Sequence, residues 1–200
     1  IGLDAVVTTL AGGATGGGTY AGGDGIGTHA SFSSPTGISI SKDEAYLFVA
    51  DSGGSKIRQI LTSTGAVTSL FPLVPGNSRG VATHPQATIV FVANTNNHQV
   101  KSLTTGNTAP PTSSPTSSAG ELIYIAGSGI AGSQDGVGMS ARFNQPFDVS
   151  TSYDGSTIVV ADTFSSAVRK VDVASGTVTT LGSGFSYPAG VVLTADGTSA

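Results

Sequence analysis

Short apolar runs recur along the chain with turn residues on either side: Leu47-Phe48-Val49, Ile89-Val90-Phe91-Val92 and Ile158-Val159-Val160. Runs this short, with no polar alternation, predict strands buried on both faces. Around the first run, clusters of Gly, Ser, Asp and Pro mark off three more strands, so that one group reads Thr36–Ser41, Tyr46–Asp51, Lys56–Leu61 and Ala66–Phe71. No stretch of useful length has helical periodicity, which argues against a sheet covered by helices. Phe48, Val49, Phe91, Val92, Val159 and Val160 are the expected centre of the core.

The pattern is a repeat. VADSGGSKIRQI from Val49 returns as VANTNNHQVKSL from Val92 and as VADTFSSAVRKV from Val160. A longer period lies over it: Asp24-Gly25-Ile26-Gly27 returns as Asp135-Gly136-Val137-Gly138, 111 residues on, and Ala30, Phe32, Pro35, Arg58, Gly65 and Leu70 all have partners at that offset. Four-stranded sheets repeated every ~45 residues, each stacked between copies of itself, are blades of a β-propeller. The expected blades span about 36–71, 80–127 and 147–182, with an outer strand of a preceding blade at 5–10 and a further blade begun at 188. The four-residue echo of Val67–Leu70 at the start, and a next expected Asp beyond Ala200, suggest either a longer chain or neighbouring copies that lend strands.

On these residues the chain resembles the NHL-repeat family. The resemblance rests on Thr9-Leu10-Ala11-Gly12, Asp24–Gly27, Ala30–Phe32, Pro35, Gly37, Leu47–Asp51, Ile57–Ile60 and Val67–Leu70, repeated in the third blade. It implies an all-β propeller, with three 111-residue units making a ring of about six blades. The second blade departs from the pattern: Asn94 stands for Asp, Lys101 for Arg, and the DGxG lead-in is missing.

Asp51 and Arg58 lie seven residues apart, as do Asp162 and Arg169, and both positions soften together to Asn94 and Lys101. Paired change within one chain predicts contact, here a charge-assisted hydrogen bond that serves the fold. A pair repeated around a ring is a poor catalytic dyad, and no catalytic residue is assigned. Asp24 and Asp135 read as Asx-type turns, because one Asp per loop cannot supply the six or more oxygens of a calcium site. The run Gly12–Gly25 reads as bends, since no helix follows it to cradle a phosphate. His29, His84 and His98 stand in three contexts without metal-ligand spacing and read as surface or turn residues, so no metal or other cofactor is expected.

Composition narrows the partners. Only 10% of residues are charged and the net charge is −4, with eight Lys and Arg against twelve Asp and Glu. No basic face for nucleic acid is expected. No apolar run reaches the ~18 residues of a membrane span, and there is no cysteine. A Ser/Thr/Pro-rich segment at 107–120 interrupts the second blade and cannot build a core. It reads either as a flexible loop or as a mucin-like segment with O-linked sugars on Thr108, Thr112, Ser113, Ser114, Thr116, Ser117 or Ser118. Low charge and this loop favour a secreted or cell-surface, non-enzymatic scaffold, adhesive or protein-interaction module. Its partners would be other subunits, further blades of the same chain, or glycans. The alternative is a propeller enzyme with a channel metal, of the amidating-lyase-like or lactonase-like kind.

Overall fold

A computed structural model describes residues 6–13, 23–71, 76–86, 88–105 and 121–194. Among them the only helical elements are single 3-10 turns, and every ladder is antiparallel. Three sheets form. The first holds β1 (Gly25–Ile26), β2 (Pro35–Ile40), β3 (Tyr46–Asp51), β4 (Lys56–Leu61) and β5 (Ala66–Phe71). The second holds β6 (Ser78–Thr83), β7 (Ile89–Asn94), β8 (Gln99–Thr104) and β9 (Leu122–Ala126). The third holds β10 (Gly136–Val137), β11 (Pro146–Thr151), β12 (Thr157–Asp162), β13 (Ala167–Asp172) and β14 (Thr177–Ser183).

Each sheet is a meander, and its first long strand is the inner one. β2 lies against β6, and β6 against β11, so the inner strands of successive sheets stand side by side. This is the radial stack of a β-propeller. The inner strands approach so closely that a Cβ on Gly37 would sit 2.3 Å from the Arg79 carbonyl oxygen, and one on Gly80 would sit 2.5 Å from Asp148 Cα.

The core sits in the seams between sheets. Successive side chains of a strand point to opposite faces, and the middle strands use both. Phe48 and Ala50 pack with Val90, Val92 and Leu103 in the first seam. Phe91 and Ala93 pack with Ile158, Val160 and Phe143 in the second. Phe48, Val92 and Val160 are fully inaccessible, and Val49, Phe91 and Val159 nearly so. A hydroxyl just past each middle strand ties one blade to the next: Ser52 Oγ donates to the Ser78 carbonyl (2.5 Å), Thr95 Oγ1 to that of Pro146 (2.9 Å) and Thr163 Oγ1 to that of Pro188 (2.7 Å).

Three expectations need correction. The first and third sheets have five strands, not four, because the DGxG lead-in adds a two-residue strand on the outer edge: Gly25 pairs Val67, and Gly136 pairs Val178. Inner strands begin one or two residues earlier than expected, at Pro35, Ser78 and Pro146. An outer strand was expected at 5–10, but the described residues of that stretch, 6–10, join no ladder, and Val6 and Val7 are 82% and 94% exposed. A strand exists only through a neighbour's hydrogen bonds, and none of the described residues pairs with these. The next residues do occupy an outer-strand end: Gly12 N–H donates to the Gly27 carbonyl at 3.1 Å, as Gly127 does to Gly138 at 3.0 Å after β9. Residues 1–5, 14–22 and 195–200, and the Ser/Thr/Pro segment from 107 to 120, lie outside the described residues.

Candidate functional site

The paired Asp and Arg positions meet in both sheets that carry them. Val49 pairs Arg58 and Val160 pairs Arg169 across the central ladder, which sets each arginine beside the end of the middle strand. Arg58 Nη1 donates to Asp51 Oδ2 at 3.0 Å, and Arg169 Nη1 to Asp162 Oδ2 at 2.9 Å, with all four side chains fully buried. The other oxygen of each aspartate takes a loop amide, Ser33 N–H at 2.5 Å and Asn144 N–H at 2.7 Å. The ladder to the outer strand shifts register beside each arginine, between Ile57 and Arg58 and between Val168 and Arg169. Such bulges re-aim the side chain they carry.

Asp24 and Asp135, expected as turn residues, hold a different place in the structure. Each is a second carboxylate on the arginine: Arg58 Nη2 reaches Asp24 Oδ1 at 2.9 Å, and Arg169 Nη2 reaches Asp135 Oδ1 at 2.6 Å. Ser69 and Thr180 on the outer strands donate hydroxyls to the same carboxylates at 2.9 Å. Arg169 and the Thr180 donors hold the Asp135 carboxyl below its usual value despite some burial. Phe32 and Phe143 cover the guanidinium groups, with centroids at 5.2 and 5.5 Å. The signal for the third member was in the sequence: the blade without DGxG is also the one without Asp and Arg.

In the second sheet Val92 pairs Lys101, the same place in the ladder. Lys101 is 2% exposed, and its ammonium lies 4.6 Å from the centroid of the Tyr124 ring. Burial pushes its pKa down. Asn94 Nδ2 donates to Ser78 Oγ at 3.5 Å. The triads bind the lead-in loop to the blade.

The histidines lie apart. His29 Nδ1 is 3.3 Å from the Ile26 carbonyl, His98 Nδ1 accepts the Gln145 N–H at 3.0 Å, and His84 stacks edge-on against Phe91 at 6.0 Å. No group of three or more His, Cys, Asp or Glu among the described residues could hold a metal ion. No helix among them is long and apolar enough to cross a membrane.

One open concavity lies along the inner strands. A cavity of about 380 Å³ is lined by residues of the three inner strands, among them Thr36, Arg79, Phe147 and Asp148, and by Ala189 beyond β14. Arg79 lies over the Phe147 ring at 4.4 Å. Rings continue outward from there: Phe147 to Phe164 at 6.1 Å, and Phe164 to Tyr187 at 5.5 Å, edge-on. Asp148 accepts the Val191 N–H at 3.1 Å, and burial pushes its carboxyl pKa up. Sequence reading missed this cluster because its members come from separate strands and turns.

No family model matches the chain. The protein Suppressor of Quenching 1, chloroplastic, of Arabidopsis thaliana is 28% identical over 166 residues, which cover 73% of this chain and 14% of that protein. Among solved structures, an auxiliary nutrient-binding protein of Bacteroides thetaiotaomicron superposes with a TM-score of 0.62 at 17% identity, over 80% of this chain and 43% of that one. A streptogramin B lyase superposes with a TM-score of 0.56 at 15% identity, over 83% of this chain and 47% of the lyase. The chain thus spans less than half the length of each of these three proteins. At these identities the likeness shows the fold, an all-β propeller. The fold serves a binding protein and a lyase alike, so it leaves the activity to the site.

Proposed function

We propose that the chain is an NHL-type propeller module without chemistry of its own, acting outside the cell or on its surface as a scaffold, adhesive or protein-interaction element. One observation carries this reading: a buried guanidinium group with one buried and one half-exposed carboxylate forms the same Asp–Arg–Asp arrangement in two blades, where it holds a loop. A catalytic site is a single constellation, and a repeated one belongs to the scaffold. The segment at 107–120 is the proposed carrier of O-linked sugars, on some of Thr108, Thr112, Ser113, Ser114, Thr116, Ser117 and Ser118.

The partners proposed for the two open faces are further blades of this repeat. Leu181 and Val192 are 50% and 66% exposed on one face, and Ile38 is 64% exposed on the other. Apolar faces of this kind aggregate unless covered. Segment 188–194 already takes the place of an inner strand, since Leu193 N–H donates to Ser150 Oγ as Thr83 N–H does to Ser39 Oγ, both at 3.1 Å. A soluble monomer of these residues alone, with both end segments disordered, would overturn this part.

A channel-metal enzyme is the second reading. The half-buried Asp148 carboxylate in the cavity along the inner strands favours it. Metal analysis of the native protein, with its intact mass, separates the two. Added hexose mass on the 107–120 peptide without stoichiometric metal supports the module. Stoichiometric zinc or calcium supports the enzyme, and an unmodified peptide removes the main support for a secreted glycoprotein.

A further inference from the structure

We propose that the aromatic row Phe147–Phe164–Tyr187, with Arg79 and Asp148 at its inner end, is a binding site for a neutral saccharide. The inference rests on the module reading and names its ligand.

The repeat supplies its own control. Residue 164 sits in a 3-10 turn whose backbone is pinned as in the sister turns: Phe164 N–H donates to the Asn144 carbonyl at 3.0 Å, Gly53 to Ser33 and Asn96 to Gly76, both at 2.8 Å. The sister residues are Gly53 and Asn96, so the turn does not need a phenyl ring. At the position of Phe147 the other two inner strands carry Thr36 and Arg79, and the segment beyond β14 carries Ala189. Tyr187 precedes its strand at the place held by Ser34, Asn77 and Gln145, and all four have positive φ, 50° for Tyr187. A bulky aromatic residue in that region is strained, whereas Asn adopts it readily. Three positions that the fold fills with small or polar residues elsewhere are thus aromatic here, and all three are in contact. Phe164 and Tyr187 remain 47% and 63% exposed. Strain and exposed apolar surface held together in one place point to a ligand.

Chemistry selects the class. Arg79 already lies over Phe147, so a cationic guest would meet a like charge. A nucleic acid would meet an acidic chain with a net charge of −4. The apolar face of a pyranose ring stacks on an aromatic side chain. Its neighbouring hydroxyls both donate and accept, which suits a cavity wall that carries a guanidinium and a carboxylate. Arg79 and Asp148 share the wall of a cavity of about 380 Å³ at the end of the row. That is within the roughly 300–1,000 Å³ of small-ligand sites.

The test is calorimetric titration of the full chain with cellohexaose, mannohexaose and chitohexaose, and with hexaproline as the peptide alternative. Binding of at least one saccharide is expected. It should weaken by about tenfold or more in Phe164→Asn and in Tyr187→Asn. Tyr187→Asn should also hold or raise the melting temperature, since it relieves strain. A residue needed only for packing would lower it. Absence of saccharide binding at millimolar concentration, binding of hexaproline instead, or saccharide binding unchanged in both variants would each overturn the proposal. None of these outcomes touches the module reading, which fails on stoichiometric metal.

Discussion

The second blade and its two neighbours solve one problem with different chemistry. In the first and third, a buried arginine bridges two carboxylates and ties the DGxG lead-in to the sheet. In the second the same place holds Lys101. Tyr124 pairs it across the ladder, where Arg58 meets Ser69 and Arg169 meets Thr180. One aromatic face replaces the outer carboxylate and its hydroxyl. The difference shows what the triad is for. Where no DGxG loop has to be held, the fork of the guanidinium is unnecessary, and an ammonium on a ring suffices. A buried ion pair is not by itself a large source of stability, because desolvation offsets most of the attraction. Its removal by halves is costly, and that asymmetry makes the comparison testable.

The largest expected effect comes from breaking a triad. Arg169→Met leaves Asp162 buried and uncompensated and should cost about 3–5 kcal/mol in urea unfolding. Lys101→Met should change stability by no more than about 1 kcal/mol, because it removes a charge that burial already disfavours. Equal costs for the two would erase the distinction between the blades. Phe91→Ala, in the seam between the second and third sheets, should lose about 3–5 kcal/mol whichever chemistry holds the loops. A loss below about 1 kcal/mol would mean that the seam is not the core.

Smaller effects sharpen the contrast. Tyr124→Ser should cost about 0.5–1 kcal/mol by removing the ring from Lys101. Asp135→Asn, at a half-exposed carboxylate, should cost about 1 kcal/mol or less. A double-mutant cycle on Asp162 and Arg169 should give the larger coupling, and one on Asn94 and Lys101 the smaller.

The smallest effect is on pH. Burial pulls the His84 pKa below its ordinary 6.5, against the opposing charge of Asp154. The unfolded chain therefore takes up the proton first as pH falls, and stability should decline below about pH 6.5. His84→Gln should flatten that part of the profile relative to the parent. An unchanged slope would place the titration elsewhere.

The blades were legible because their signals are local and repeated. A middle strand sandwiched between sheets must be apolar on both faces, and Leu47-Phe48-Val49 says so without any knowledge of its neighbours. Asp51 with Arg58 was legible for a different reason: the chain varies the two together in its own second copy. Asp24 escaped because a lone Asp-Gly looks like a turn. Only the register of the outer strand brings it, 34 residues from Arg58 in sequence, onto the same guanidinium. The two-residue strand β1 escaped likewise, since nothing in Gly25-Ile26 marks a strand until β5 offers it an edge. The cluster beside the inner strands lay furthest from view. Arg79, Phe147, Phe164 and Tyr187 come from an inner strand, the next inner strand, a turn and a linker, and each alone is an ordinary residue. The sequence therefore determined the strands, the repeat and the stacking of blades through short-range periodicity. Which exposed side chains share a surface was decided by the tertiary structure, because the radial stack sets residues from different blades side by side with no trace in their spacing along the chain.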